Sequence, residues 1–460
     1  MHLPRGIAGP LYWQEQRLRG RGSVRERLEW LRANQERTPA EIAELQFDKL
    51  RATVRHAYRT VPYYRRIMDE RGLRDLESPA DLRKLPVLSR DVLLREQDAL
   101  LSSEADRATL QTNFSSGSTG RRAQFQQDAD FRLWMRAHQL RTYEWCSGWQ
   151  LGDPFVLLWG SEIYWSFKQL TDRAENLLTN RREFNTFRLS PQLIDSVLDR
   201  LVRFRPALVS TYSNAMHLIA KEAERRQVRI PGLRAVQGTS EPLPPALRET
   251  IGRVLDCDVY DKYGMRETNI VSHEQPGGGP MLIQSENVFV EFLDENGDPC
   301  EEGRTGRLVL TTLNNHSMPL IRYETSDLAA PLPHTSALPY PCMTPVAGRL
   351  QDLIVTPSGD HIDAYLFSYL FMRFPEVHWF QVVQSEPDRL QIKVYTPDGL
   401  RKGTATELTE RIRHHTGYPF TVEFDSLTRM PESSTGKFRL CVSELGAAST
   451  GGGARATATA

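Results

Sequence analysis

Between Ser190 and Tyr260, short apolar runs alternate with longer helical stretches, and this alternation constrains the fold more than any other feature. Ser190-Pro191 reads as a serine N-cap with proline at the first helical position, opening a helix to about Phe204. Ala207 to Tyr212 is an apolar run of strand length. Asn214 to Arg226 returns to helix, Leu233 to Gln237 to strand, Pro245 to Leu255 to helix and Cys257 to Tyr260 to strand. Strands separated by covering helices form a parallel or mixed α/β sheet.

The flanking regions differ in texture. The first hundred residues read as helical, with Ile42, Leu45, Leu50, Val54 and Ala57 on one face of a helix from Glu41 to Arg59. Ser78-Pro79 is a further helix start, and Ser89 is a candidate N-cap. From Asn287 to Leu293 the pattern alternates toward the turn Glu295-Asn296-Gly297-Asp298, and Gly306 to Leu313 follows as a partner strand. Residues 331–346 are rich in proline and small residues and read as a loop. A smaller unit follows, with strands at Trp379–Gln384, Leu390–Tyr395 and Phe420–Phe424 and a helix from about Ala405 to His415.

The bulk properties exclude several classes. A length of 460 residues exceeds one compact core and suits two or three domains. Lys+Arg and Asp+Glu each total 58, so no global field favours nucleic acid or an anionic membrane. No apolar run approaches the roughly 20 residues that span a bilayer. The start Met1-His2-Leu3-Pro4 has no signal-peptide apolar region, so a cytoplasmic location is expected. The five cysteines (Cys146, Cys257, Cys300, Cys342 and Cys441) are scattered and contain no C-x-x-C, so they read as free thiols.

Five stretches stand in a fixed order. They are Ser115-Ser116-Gly117-Ser118-Thr119-Gly120; Gly238-Thr239-Ser240-Glu241-Pro242; Tyr260 to Glu267 (YDKYGMRE); Ile321 to Asp327 (IRYETSD) with Gly348-Arg349-Leu350-Gln351-Asp352; and Pro431 to Arg439 (PESSTGKFR). The first has unobstructed backbone N–H groups and hydroxyl donors, which suit a polyphosphate, although it is not a Walker-type loop. The series resembles the adenylate-forming superfamily of acyl-CoA synthetases, adenylation domains and luciferase-like enzymes. Gly148 to Asp153 (GWQLGD) and Met318 to Tyr323 (MPLIRY) resemble its phenylacetate–CoA ligase and coenzyme F390 synthetase-like branch in particular.

The resemblance implies a large N-terminal domain, residues 1–348, with mixed or parallel sheets, covering helices and a β-barrel-like subdomain. It implies a small, mobile α+β C-terminal lid, residues 349–445, and residues 446–460, all small but for one arginine, read as a disordered tail. It also assigns roles. Ser115, Ser116, Gly117, Ser118, Thr119 and Gly120 would hold the β- and γ-phosphates of ATP. Gly238, Ser240, Glu241 and Gly264 would belong to the nucleotide site. Tyr263 would lie against adenine, with Asp261 near its edge. Asp327 would accept hydrogen bonds from the ribose hydroxyls, and Arg349 would add a ribose or phosphate contact. Glu267 would bind Mg²⁺, and Lys437 would reach the α-phosphate and the substrate carboxylate together. Asp352 would be the hinge about which the lid turns between half-reactions.

These roles imply a ligase that activates an aryl or other apolar acid as its acyl-adenylate and passes the acyl group to coenzyme A. An amine, a hydroxyl or a carrier-protein thiol is the alternative acceptor, as is AMP transfer itself in an F390 synthetase-like enzyme. A non-catalytic nucleotide-binding protein on the same fold is the third reading. A homodimer is compatible with all of these. Aromatic residues crowd 134–164 (Trp134, Tyr143, Trp145, Trp149, Phe155, Trp159 and Tyr164) and form either an acyl pocket or plain core. Some relatives carry a Cys/His metal cluster. Here Cys300, Cys342, His273 and His316 lack ligand spacing, so no zinc is expected. Arg266, Glu324, Ser326 and Arg122 depart from the family pattern. Arg266, in place of a hydroxyl residue, either adds charge at the α-phosphate or fills the site.

Overall fold

The computed structural model describes residues 2–114, 124–159, 175–186, 188–346 and, within 353–445, all but 363, 372, 375, 378, 397–398 and 430–439. Its centre is a nine-stranded sheet. In chain order the strands are β1 (Phe155–Trp159), β2 (Arg181–Asn185), β3 (Leu208–Tyr212), β4 (Ala235–Thr239), β5 (Asp258–Met265), β6 (Asn269–Glu274), β7 (Met281–Ile283), β8 (Pro331–Leu332) and β9 (Cys342–Met343). Their spatial order is β8-β9-β7-β6-β5-β4-β3-β1-β2. The half from β2 to β5 is parallel, and β5 to β8 continues antiparallel.

The alternation read from sequence is this parallel half. Ser190 caps the helix Pro191–Phe204 by accepting from the Leu193 amide at 3.0 Å. The helices Ser213–Arg226 and Pro245–Leu255 complete the crossovers. Successive residues point to opposite faces, so Val156, Leu158, Val209 and Val236 pack against these helices. Phe155, Leu157, Leu208 and Tyr260 enter a second core under the helix Ala129–Trp145 and the N-terminal helices. Burial on both faces is what parallel strands require.

The loop expected over 331–346 is corrected in part. Its ends form the edge strands β8 and β9, because Met343 and Cys342 pair with Met281 and Leu282 of β7. Ser78-Pro79 opens only a 3-10 turn, Pro79–Lys84. The strands Val288–Leu293, Gly306–Thr312 and Tyr323–Ala329 form a three-stranded antiparallel sheet. The C-terminal core contains Ile354, Phe367, Val382, Ile392 and Ile412 and, among the described residues, takes none from before Ile354. Strand His361–Ile362 of that unit pairs with Arg188–Leu189. Among the described residues, no helix is long and apolar enough to cross a membrane.

The helix Ala129–Trp145 is fastened by a buried ion pair. Arg141 and Glu286 are both fully buried, and Arg141 donates to the two carboxylate oxygens at 2.7 and 2.9 Å. The same guanidinium reaches Tyr340, Gln284 and the Leu31 carbonyl. Glu286 is held down to about 2: burial raises it, but the facing Arg141 more than offsets this. Arg141→Met should lower unfolding stability by about 3–5 kcal/mol in urea titration, because it leaves Glu286 buried and unpaired. Adding Glu286→Leu should recover most of that loss.

Candidate active site

In a parallel sheet, ligands collect beyond the carboxyl ends of the strands. Here β3, β4 and β5 end close together, and the residues singled out by sequence gather there. Gly238 packs β4 closely against the helix that precedes it: a Cβ on it would lie 3.0 Å from the Ser213 hydroxyl. Ser240 turns the chain in the left-handed region, φ 68°. Glu241 then accepts from the Asn214 amide at 3.0 Å, tying the β4 loop to the start of the helix Ser213–Arg226.

Strand β5 carries the central motif. Asp261 is buried, and its amide donates to Glu274, which pairs with Arg248 at 2.9 Å. Burial, with Glu274 adding to it, pushes the Asp261 carboxyl up to about 7. The Tyr263 hydroxyl donates to Asp327 at 2.7 Å, so the residues expected at adenine and ribose adjoin. Gly264 sits at a bulge between β5 and β6, where an added Cβ would lie 2.7 Å from the Asn269 carbonyl oxygen. Asp327 stands in the strand Tyr323–Ala329, with its amide bonded to Thr325 Oγ1 at 3.1 Å.

Glu267 follows β5 and is only 4% exposed. Burial pushes its carboxyl above the ordinary range; Arg90 and Arg266 oppose this and Asp327 reinforces it. Tyr323 hydrogen-bonds Glu267, and burial together with Glu267 raises the Tyr323 phenol far above its usual range. Arg90 reaches the site because Leu88 bonds the strand beside it, its amide to the Arg322 carbonyl at 2.8 Å and its carbonyl to the Glu324 amide at 3.1 Å.

The strands Gln111–Phe114 and Gln124–Gln127 form a hairpin stem that is anchored here. Gln127 donates to the Arg266 carbonyl at 2.8 Å, and the Arg266 guanidinium donates to the Phe114 carbonyl at 3.4 Å. Arg266 therefore ties the stem to the turn bearing Glu267. The loop residues Ser115, Ser116, Gly117, Ser118, Thr119 and Gly120 lie outside the described residues, as do Arg122, Arg349, Asp352 and Lys437. Sequence reasoning missed Arg90 and Tyr323 as neighbours of Glu267. Tyr323 stands within the IRYETSD stretch but without a sign of its contact with Glu267, and Arg90 carries no motif signal, being delivered by the pairing of residue 88 with the strand.

A cavity of about 310 Å³ lies on the other face of β5, under the helix Ala129–Trp145. Tyr143, Trp149, Phe155 and Trp159 line it, as a pocket reading of the aromatic cluster requires. Trp134 and Trp145 do not line it: Trp134 packs edge-on to Trp30, and Trp145 against His273 and Tyr340. Tyr164 lies outside the described residues. Of the cysteines and histidines considered for metal, His273 adjoins Cys146 at 3.5 Å, His316 packs on His56, Cys342 is buried in β9 and Cys300 is half-buried.

Residues 354–444 match the family described as the CapK C-terminal domain. The chain is 27% identical over 327 residues to the phenylacetate–coenzyme A ligase of Aromatoleum evansii, covering 68% of this chain and 72% of that protein. It is 28% identical over 330 residues to the Escherichia coli K12 phenylacetate–coenzyme A ligase, with the same coverage. Among solved structures, 2-hydroxyisobutyryl-CoA ligase with 2-HIB-AMP and CoA superposes with a TM-score of 0.60 at 19% identity, over 91% of this chain and 93% of that one. The fold is that of the adenylate-forming CoA ligases. Within that class, the sequence relatives of this chain are phenylacetate–coenzyme A ligases.

Asp261 ties stability to pH. Its carboxyl rises from 3.8 unfolded to about 7 folded, so the folded state binds the extra proton between those values. The resulting stabilisation is complete below 3.8 and is lost as pH rises through about 7. Asp261→Asn should therefore melt several degrees above wild type at mildly alkaline pH, and the gap should close on acidification toward the unfolded value. A gap independent of pH would contradict this.

Proposed function

We propose that this protein activates a carboxylic acid with ATP as the acyl-adenylate and transfers the acyl group to coenzyme A. One observation carries the reading. The stem of the Ser/Gly loop is bonded through Arg266 to the turn of Glu267, beside the Tyr263–Asp327 pair. In this reading the base of the phosphate loop, the metal carboxylate and the nucleoside-binding pair share one end of the sheet.

The chemistry follows from the charges. A carboxylate is a poor electrophile, and oxide is a poor leaving group. Its oxygen attacks the α-phosphorus of ATP, the bond to the β-phosphate oxygen breaks, and pyrophosphate leaves. The thiolate of coenzyme A then attacks the acyl carbon, and AMP departs with the former carboxylate oxygen. Two anions meet in the first step, so positioned positive charge is the main requirement. In this reading Lys437 supplies it at the α-phosphate, and Arg349 adds a ribose or phosphate contact. Tyr263 lies against adenine, Asp261 bonds its edge, and Asp327 receives the ribose hydroxyls once Tyr263 yields.

Glu267 fits Mg²⁺. The ion commonly takes one carboxylate and completes its shell with substrate phosphates and water. Among the described residues no group of three acidic, histidine or cysteine ligands gathers, so such a site would lean on the substrate's own phosphates. The division at residues 348 and 349, with Asp352 as hinge and Lys437 on the C-terminal unit, belongs to the same proposal. The separate core beginning at Ile354 supports it.

Purified protein with ATP, Mg²⁺ and a panel of aryl and aliphatic acids should release pyrophosphate, and coenzyme A should yield an acyl-CoA. Adenylate without thioester would move the acceptor to an amine, hydroxyl or carrier protein. Absence of both pyrophosphate release and ATP binding would overturn the proposal. Lys437→Ala should abolish adenylation and spare transfer from a supplied acyl-adenylate, whereas Asp352→Pro should do the reverse. Asp327→Asn should weaken ATP binding by about tenfold or more in calorimetry, having lost a charged acceptor.

A further inference from the structure

The cavity beneath the helix Ala129–Trp145 is aromatic, yet it contains a lysine that the mechanism does not use. Lys262 precedes Tyr263 on β5 and lines the cavity opposite Tyr143 and Phe155. It is 9% exposed. The other cations of the wall are matched: Arg136 pairs with Glu175, and Arg181 with Glu183 at 2.9 Å. No described carboxylate forms an ion pair with Lys262. Its neighbours on this face are uncharged. His273, its cross-strand partner, is held neutral by burial, down to about 3, and is bonded to Gln237 at 3.0 Å. Cys146 is kept a thiol by burial. Burial lowers Lys262 itself to about 8, leaving it mostly charged at neutral pH.

A buried ammonium is costly without an anionic acceptor, and although Gln139, Thr179 and Ser210 join the aromatic rings in the wall, no described carboxylate there pairs with Lys262, which leaves that part to a ligand. A purely apolar acid would leave that charge unanswered, and an alkyl side chain at position 262 would serve it better. The cavity lies on the face of β5 opposite Tyr263, one residue along the strand from the nucleotide-binding pair. An acid whose reacting carboxylate points toward the nucleotide would extend its ring into the cavity.

We infer that the acid activated at this site is an aromatic acid with a second oxygen acceptor on its ring, a carboxylate or a hydroxyl, that Lys262 binds. The inference rests on the function proposed above and narrows its substrate. The shared chemistry is an oxygen that accepts from an ammonium, and the two substituents are separate arms of the test.

Pyrophosphate release would be measured with benzoate and phenylacetate and with their ring-hydroxy and ring-carboxy analogues. The wild-type enzyme should favour at least one substituted series by about tenfold or more in kcat/KM, the worth of a charge-assisted hydrogen bond. Lys262→Met should invert the order, losing efficiency with the substituted acid and gaining it with the parent. Lys262→Gln, which keeps a neutral donor, should retain a hydroxyl preference and lose a carboxylate one. Thermal melts would show which variants fold, and the wild-type panel decides without them. Equal or better wild-type turnover of the unsubstituted acids would overturn the inference and leave the proposed function standing. An equal loss with every acid in Lys262→Met would also overturn it, because the lysine would then serve the reacting carboxylate. Failure of every acid to release pyrophosphate would remove both.

Discussion

The site depends on a fully buried ion pair remote from it. Arg141 and Glu286 join the helix Ala129–Trp145 to the chain between the central sheet and the three-stranded sheet. Both groups have left water completely, so the pair is sustained only by near-complete hydrogen bonding from Tyr340, Gln284 and Leu31. Apolar residues of similar volume would hold the helix as firmly. The ionic version fixes its register as well, because a bidentate guanidinium accepts one geometry. That register aims Arg136, Gln139 and Tyr143, which flank Arg141 on the helix, into the cavity.

The same economy of placement runs through the end of the sheet that holds the candidate site. Asp128 caps the helix by accepting from the Phe131 amide at 2.7 Å, and its other oxygen takes the His316 and Ser317 amides at 3.1 and 3.0 Å. The helix start, the hairpin stem and the segment leading to Asp327 are thus bound together by one carboxylate and a few side-chain amides. Buried polar groups of this kind are costly alone and stiffening when fully paired. A site for two anionic reactants needs such stiffness, since its cations must already point inward before the substrates arrive.

What was legible in the sequence follows from what each element buries. The crossovers from Ser190 to Tyr260 were readable because their helices bury an apolar stripe and carry ordinary caps. Gly264 and Asp327 were readable as motif positions, and the bulge and the strand explain why those residue types stand there. The helix Ala129–Trp145 was not readable, because its buried side includes His138, Arg141 and Thr142, which erase the apolar stripe. Strand β6 escaped for a related reason: Ser272 and His273 are fully buried yet polar, and look like loop residues in one dimension. Strands β8 and β9 are two residues each, too short for any periodicity. The charge of Lys262 was visible in YDKYGMRE, but its meaning depends on which face of β5 it occupies.

That face is set by strand geometry alone. Successive side chains of β5 alternate, so Tyr260 and Lys262 enter the cavity side while Asp261 and Tyr263 turn to the other. On the proposed reading one strand serves two ligands: Asp261 and Tyr263 face the nucleotide, and Lys262 faces the acid in the cavity. A substitution at position 262 would then change the acid without disturbing the nucleotide, whereas a change at 261 or 263 would do the opposite. A slip of one residue at the Gly264 bulge would exchange the two sets, which is why the backbone there leaves no room for a Cβ.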